Sequence, residues 1–429
     1  MFQRWKKNRG KWMIALAILG PGLITASVDN DSGGIATYAL AGAHFGYSLL
    51  WTLIPITLLL IFTLDLSTKL GISTRTGLAA LIREKFRVRL TLPLLLLVLI
   101  ANLGTTTSEF AGISSSFKIF FAETFAQIPL LERLFQAGII LLCAVFIWVF
   151  ILKGTYKRIE KTFIVLALFY VTYIVSAILA KPDWSLALKS LVVPTFDLDP
   201  KFLLTMVGVI GTTITPWMYF FHNSTLVEKD VGEANLRASR IDALLGSIAT
   251  DIISFFIIVA VAATIFVNHL PVETVADIGQ SLVPLAGKYA GFLFAFGLLN
   301  ASLFGAAVLP LSTAYTICEA LGWETGIDKG FRSAPQFYGV FTGMIAIAAL
   351  IILFPQIPLL SIMFISQVAN GLLLPFFLVY LILLAEDEKL MGRYRLKGIL
   401  RIFGWSAAGI LIVLNLVTIA APIFGVKSF

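Results

Sequence analysis

The sequence predicts an all-α integral membrane protein of eleven transmembrane helices, arranged as two sets of five with one span added. Three observations predict it. Of the 429 residues, 59% are hydrophobic and only 13% charged, with a mean hydropathy of +0.93, a composition that soluble globular domains of this size do not have. The apolar residues fall into eleven runs, each close to the roughly 20 residues that cross a bilayer core. Two of those runs, the first and the sixth, are interrupted by polar and helix-breaking residues.

The runs lie at about 12–43, 46–71, 90–121, 133–152, 161–180, 202–227, 243–267, 286–320, 336–354, 358–384 and 400–424. The whole chain, 1–429, reads as a single transmembrane domain, with no soluble domain attached. Its first repeat is 1–180, its second and inverted repeat is 202–385, and the extra span is 400–424. The basic N-terminus runs straight into a full-length span, without the short apolar core and small-residue site of a cleavable signal peptide.

Charge sets the expected orientation. Of the 32 basic residues, 25 fall in alternate segments: the N-terminus, then the stretches around 69–89, 153–161, 229–240, 329–332 and 389–401. Basic loops face the cytoplasm, so the N-terminus is expected inside and, after eleven spans, the C-terminus outside, in the cytoplasmic membrane. The net charge of +8 therefore reflects loops facing the cytoplasm and not a nucleic-acid surface. Segment 72–89 reads chiefly as a solvated orientation signal, with a short surface helix as the alternative. Segment 181–201, with Trp184, Pro194, Asp197, Asp199 and Pro200, reads as an irregular outer loop. Cys143 and Cys318 lie in or beside apolar runs and suggest neither a disulfide framework nor a metal cluster.

The first run carries Asp29-Asn30-Asp31-Ser32-Gly33-Gly34 near its centre. A central charge costs roughly 2.5–3.5 kcal/mol on the insertion scale, and glycine weakens the helix there. Such a break persists where it lines a cavity, and a carboxylate beside free carbonyls in a cavity makes a cation site. The sixth run breaks at Gly211-Thr212-Thr213-Ile214-Thr215-Pro216, where proline removes a backbone donor. A packing kink is an equal reading of that proline alone. The two breaks hold the same ordinal position in two sets of five spans, which points to an inverted-repeat transporter with its site at the midplane between them.

Other polar residues lie inside spans. Glu109 is an ionisable group at membrane depth and a functional candidate, with burial in neutral form or structural pairing as its bland reading. Asp251 in span 7 reads first as structurally paired. Asn300 and Ser302 read as helix glue. Gln367 and Asn370 share a face of span 10, and either completes a cation site with a neutral oxygen or serves as glue. His44, His222 and His269 do not cluster, and His222 follows Pro216 by six residues on the inner half of span 6. With so few His and Cys, a soft or zinc-type site is not expected.

These residues resemble the Nramp family (natural-resistance-associated macrophage proteins), and the likeness covers nearly the whole chain. Gly20-Pro21-Gly22 leads into the first break, and Asp31-Ser32-Gly33-Gly34 stands where the family has Asp-Pro-Gly-Asn. Gly211-Thr212-Thr213-Ile214-Thr215-Pro216-Trp217 stands where the family has Gly-x-x-x-Met-Pro-His. His222 matches a later family histidine. Ser108-Glu109-Phe110-Ala111-Gly112 and Gln367 with Leu374-Pro375-Phe376 match spans 3 and 10, and Tyr156-Lys157-Arg158-Ile159-Glu160 matches a basic turn before span 5. The resemblance implies a leucine-transporter-type fold and transport of divalent metal, which is the substrate; no cofactor, nucleic acid or obligate protein partner is implied, only the ion and the lipid bilayer.

The departures are as informative. The metal-binding Asp is kept as Asp31, but the family's Asn becomes Gly34, its metal-binding Met becomes Thr215, the His after proline becomes Trp217, and a span 3 Asp becomes Thr106. Asp29 is extra. A thioether favours transition metals, so replacing it with Thr215 leaves an expected set of oxygens, and Gly34 is expected to enlarge the pocket. That combination suits a hard cation keeping part of its water: Mg²⁺, with Mn²⁺ also tolerated. In these departures the chain resembles a magnesium-transporting branch related to Nramp, which departs at the same positions. The expected metal site is Asp31 with Thr215, Thr212, Gly34 and the carbonyl of Val28, with Asp29, Asn30, Gln367 and Asn370 around it and Glu109 and His222 on a proton or gating path. Loss of the histidine and of one acid argues against proton coupling. The competing readings are a proton-coupled Mn²⁺/Fe²⁺ transporter, a sodium-coupled amino-acid carrier of the same fold, and an ion channel. An enzyme is not expected, because no nucleophile–base pairing appears in the spans.

Overall fold

A computed structural model describes residues 20–86, 88–121, 129–279, 288–354 and 357–423. The start of the first expected span, with Arg4, Lys6, Lys7, Arg9 and Lys11, lies outside them, as do Arg87 and Lys427 and the side chains of Arg89 and Lys288. Single-turn helices aside, the chain forms α1 (Pro21–Ser27), α2 (Ser32–Phe45), α3 (Leu53–Thr74), α4 (Leu78–Lys85), α5 (Val88–Phe120), α6 (Pro129–Lys153), α7 (Tyr156–Leu168) and α8 (Val171–Leu179). These are followed by α9 (Trp184–Val192), α10 (Pro200–Thr213), α11 (Pro216–Glu228), α12 (Leu236–Val261), α13 (Lys288–Leu321), α14 (Pro335–Ile352), α15 (Leu359–Ala385) and α16 (Gly398–Ile423). There is no strand among the described residues.

Ten described stretches are long and apolar enough to cross a membrane, from Leu50–Thr74 to Gly398–Ala421, and they coincide with the second to eleventh runs of the sequence. Of the first run, the part described from residue 20 on is cut in two: α1 has 7 residues and α2 has 14. The sixth, Pro200–Glu228, is 94% buried within its most apolar window. It is the central element of the bundle.

Helix packing follows a pattern of exchange. Span 3 (α5) lies along span 8 (α13), span 2 (α3) along span 7 (α12), and span 4 (α6) along span 9 (α14). Other neighbours come in matched sets. Span 5 touches span 8 as span 10 touches span 3; span 1 touches span 7 as span 6 touches span 2; span 4 touches span 8 as span 9 touches span 3. Swapping the first five spans for the second five turns each of these contacts into its counterpart, whereas the packing of span 10 on span 1 is not matched in kind by span 5 on span 6.

Two expectations need correction. Segment 72–89 is not merely solvated: Leu78, Ala79, Leu81 and Ile82 of α4 are buried, Arg83 donates to the carbonyls of Glu319 and Ala320 at 3.3 Å each, and Lys85 pairs with Asp387 at 2.8 Å. The alternation of charged and apolar residues there encodes an amphipathic face that docks. Segment 181–201 is not wholly irregular, because Asp183 accepts from the Leu186 N–H at 3.0 Å and caps the nine-residue α9. Two further features had no sequence signal of Gly or Pro: span 5 is interrupted at Phe169–Tyr170 between α7 and α8, and span 7 ends in a π-turn at Ala262–Phe266.

The basic segments are tied to one another. Arg75 meets Asp230 at 3.6 Å, the Tyr156 N–H donates to Asp328 at 2.9 Å, and Lys229–Glu160, Arg240–Asp65 and Arg393–Glu233 are ion pairs. They therefore share one end of the bundle.

Span 6 meets span 10 backbone to backbone. A Cβ on Gly211 would lie 2.2 Å from the Gly371 nitrogen and 2.3 Å from the Gln367 oxygen, and one on Gly371 would lie 2.3 Å from the Val207 oxygen. Gly211→Ala should therefore lower the thermal unfolding temperature, by an overpacking cost of about 1–3 kcal/mol. Gly339→Ala, where nothing lies within 4 Å, should leave it unchanged. Equal unfolding temperatures for the two variants in detergent would refute this contact.

Candidate functional site

The site begins with the local chemistry of the two breaks. After α1 the chain makes a single 3₁₀ turn, Val28–Asn30, and Asp31 then goes extended (φ −64°, ψ 177°) as the N-cap of α2. Its Oδ1 accepts from the Gly34 N–H at 2.6 Å, the favoured use of an aspartate at a helix start. In span 6, α10 stops at Thr213 and α11 starts at Pro216. Proline at the first position of a helix loses nothing by lacking an N–H, so Pro216 begins a helix and does not merely kink one. Thr215 is the N-cap residue, yet its hydroxyl oxygen is buried without a partner.

The two breaks meet. The Thr212 hydroxyl lies 3.5 Å from the Asp29 carbonyl, and Tyr38 of α2 shares a 2.6 Å hydrogen bond with Thr213. The carbonyl turned toward Thr212 is thus that of Asp29, one residue past the expected Val28. Gly34 also behaves differently from expectation. A Cβ there would lie 2.5 Å from the Asp29 oxygen, 2.8 Å from the Thr212 hydroxyl and 3.3 Å from Asp31 Oδ1. The missing side chain has not left a larger pocket; its space is taken by close approach of backbone and site oxygens.

Span 10 supplies Gln367, whose Nε2 lies 3.3 and 3.5 Å from the two Asp31 oxygens. Its own oxygen accepts from Asn370 at 3.2 Å, and Asn370 also donates to Thr105 of span 3 at 3.1 Å. The expected neutral oxygen from this face is therefore not Gln367's; the Asn370 oxygen is the one left buried and unpartnered. Asn30 turns away from Asp31. It donates to the Thr250 carbonyl at 3.0 Å and accepts from Ser254 at 2.9 Å, fastening the break to span 7.

Glu109 accepts from the Ser32 N–H at 3.2 Å and lies beside Asp31, while the Ser32 hydroxyl donates to the Ser108 carbonyl at 2.8 Å. Both oxygens of Asp29 and one of Glu109 are buried with no partner. Asp29 lies within electrostatic range of both Asp251 and Asp31, and Asp251 accepts from Thr57 at 2.5 Å. His222 is fully buried in α11 and shares a 2.8 Å hydrogen bond with Thr68 of span 2. Asn300 donates to the Leu166 carbonyl at 3.0 Å as helix glue, whereas Ser302 donates within its own helix.

Sequence reasoning missed several participants. Met218 places its sulfur 3.3 Å from the Thr215 N–H, so the broken stretch is not served by oxygens alone. Tyr170, Thr172, Tyr173 and Ser176 of span 5 each carry a buried hydroxyl with no partner, and Tyr170 lies within electrostatic range of Asp29, Asp31 and Glu109. The interruption at Phe169–Tyr170 aims Tyr170 inward, and no residue pattern announced it. Asp242 was also unanticipated. Buried at the basic end, it accepts from the N–H groups of Gly20 (3.2 Å), Gly22 (2.7 Å) and Leu23 (3.3 Å) and so holds the start of α1.

The electrostatics are one-sided. Asp29, Asp31, Glu109, Asp242 and Asp251 are buried, while no lysine or arginine is buried among the described residues. Unpaired buried carboxylates are costly, and a cation is the species that would offset them. A sequence profile for natural resistance-associated macrophage protein-like proteins matches residues 22–421.

The chain belongs to the Nramp family.

Its Nramp relatives include divalent metal cation transporters named MntH from Bacillus subtilis, 26% identical over 409 residues (93% of this chain, 91% of the relative), and Brucella suis, 27% identical over 451 residues (97% and 94%). A crystal structure of an Eremococcus coleocola manganese transporter superposes with a TM-score of 0.79 at 21% identity, over 96% of this chain and 89% of that one. The structure of MhsT in complex with L-phenylalanine superposes at 0.61 with 15% identity, over 95% and 98%. The fold is thus that of the leucine-transporter type with helices 1 and 6 broken.

Asp242 predicts its own test. Asparagine has one acceptor oxygen where aspartate has two, and a lost cap costs about 1 kcal/mol. In Asp242→Asn, amide exchange at residues 20–23 should accelerate roughly fivefold, with α10 unchanged. Exchange equal to the parent's would remove Asp242 as the clasp on α1.

Proposed function

We propose that this protein carries divalent metal cations across the cytoplasmic membrane by alternating access, with Asp31 as the anchoring carboxylate. The observation that carries this reading is the set of buried carboxyls, Asp29, Asp31 and Glu109, at the meeting of the two broken helices, with no lysine or arginine buried among the described residues. The names of the Nramp relatives support it. The ion would take Asp31, the Thr212 and Thr215 hydroxyls and the Asp29 carbonyl, with the free Asp29 oxygens holding part of its water. Gly34 allows that approach. Glu109, Gln367, Asn30 and Asn370 would orient these groups, Val28 shaping the turn behind them.

The repeats are read as 1–180 and 202–385, with 400–424 added; the exchanged helix contacts support this division. The clustering of basic segments at one end supports a cytoplasmic N-terminus and an outer C-terminus. In the cycle, the Asp242 clasp on α1 would open the basic side, and the Tyr38–Thr213 contact would open the other.

For the ion, the oxygen donors favour a hard, hydrated cation, the Mg²⁺ reading. Mn²⁺ is the second reading, favoured by the manganese transporter of the same fold and by the Met218 sulfur at the break. Trp217 and Thr106 stand where proton-handling groups would be, so uptake is read as driven by membrane potential, which gives a divalent ion roughly 4.6 kcal/mol per 100 mV. An amino-acid carrier would need a bare helix N-terminus for a carboxylate, and Asp31 occupies that position.

Proteoliposome flux tests all of this together. Asp31→Ala should abolish saturable Mg²⁺ and Mn²⁺ uptake, and internal pH should stay constant during uptake by the parent protein. Thr215→Met should shift competition toward Mn²⁺. Undiminished uptake by Asp31→Ala would overturn the site; flux that never saturates would favour a channel.

A further inference from the structure

At the basic end, a groove of about 560 Å³ opens between span 2 (α3), span 7 (α12) and span 11 (α16). Its floor is apolar, built from Leu58, Ile61, Phe62, Ile241, Leu244 and Phe403. The floor is firm: Phe62 and Phe403 meet edge to face at 5.3 Å, and a Cβ on Gly404 would come within 2.7 Å of the Phe62 ring. Leu58 and Ile241 are exposed there, so the groove faces the lipid phase.

Its rim is charged. Asp65 is the only acid lining it, and that one carboxylate is shared by Lys69, at 2.6 Å, and Arg240. Arg237, one turn before Ile241, is exposed and has no ion-pair partner among the described residues. Lys69 lies beside the groove and not in its lining, and it already pairs with Asp65, so the two rim arginines are left short of negative charge. An apolar floor beneath a basic rim, at the end of the bundle where the basic loops gather, matches a phospholipid: acyl chain below, phosphate above. A soluble phosphate would use the rim and gain nothing from the floor. A zwitterionic lipid would fill the floor and leave the rim uncompensated.

We infer that this groove is a binding site for an anionic phospholipid, seated where spans 2 and 7 adjoin span 11. Span 7 packs on both halves of the broken first helix and span 2 on the second half of the sixth. A lipid here would therefore touch the elements that hold both breaks. The inference rests on the membrane reading, but its test reads lipid binding and needs no transport.

The experiment is native mass spectrometry and thermal unfolding of the detergent-purified full chain, with added phosphatidylglycerol, phosphatidylcholine or inorganic phosphate. The parent should retain phosphatidylglycerol over phosphatidylcholine roughly tenfold, and inorganic phosphate should not stabilise it. Arg237→Gln/Arg240→Gln should lose that preference while its unfolding temperature without added lipid stays that of the parent. Should the double variant fail to fold, Arg237→Gln alone, which breaks no ion pair, should still weaken the preference. Unchanged preference in these variants, equal retention of both lipids, or stabilisation by inorganic phosphate matching that of phosphatidylglycerol would each overturn the proposal.

Discussion

A carboxylate at membrane depth is the constraint on which the rest of the structure depends. Asp31 cannot stay at the centre of a bilayer unless its charge is met by donors. Its first donor comes from the local chain, because ending α1 one turn earlier and restarting at Ser32 turns Asp31 into an N-cap with the Gly34 N–H at 2.6 Å. The helix break and the charge are thus one feature. The break frees the donors that the charge needs, and the charge satisfies groups that the break exposes.

From that point the packing radiates outward. Glycine at 34 lets the Asp29 carbonyl and Thr212 close in, and glycines at 211 and 371 let span 6 press against span 10, so that Gln367 reaches Asp31. Asn30 fastens the turn to span 7, and Ser32 fastens α2 to span 3. Each tether uses a short polar side chain against backbone or a like group, as helices packed closely in a membrane do. The surplus of buried carboxyls over their donors is what distinguishes this centre from ordinary helix glue.

The two ends of the bundle are built differently. At the basic end, ion pairs and the Asp242 clasp connect loops and the start of α1, groups that can exchange for water as they part. At the other end, Trp51 donates to the Thr195 carbonyl and Thr195 to the Ser48 carbonyl, at 2.8 and 2.7 Å, tying the loop after α9 over the turn that joins spans 1 and 2. Contacts of both kinds are individually weak.

The sequence by itself determined the spans, the two breaks, the clustering of basic loops and the place of Asp31 at the first break, because hydropathy, proline and intramembrane charge are local properties that each residue carries wherever it folds. It also carried the Nramp likeness, through motifs in consecutive order. What only the tertiary structure decided concerns which atom faces which. The Gln367 nitrogen, not its oxygen, meets Asp31; Asn30 serves span 7; the space at Gly34 is closed by the Asp29 carbonyl; Met218 stands by Thr215; and Tyr170 enters from an interruption in span 5 that no glycine or proline marks. Those outcomes depend on the rotation and approach of helices far apart in the chain, and a side chain's partner across such an interface is set by packing that no single segment encodes.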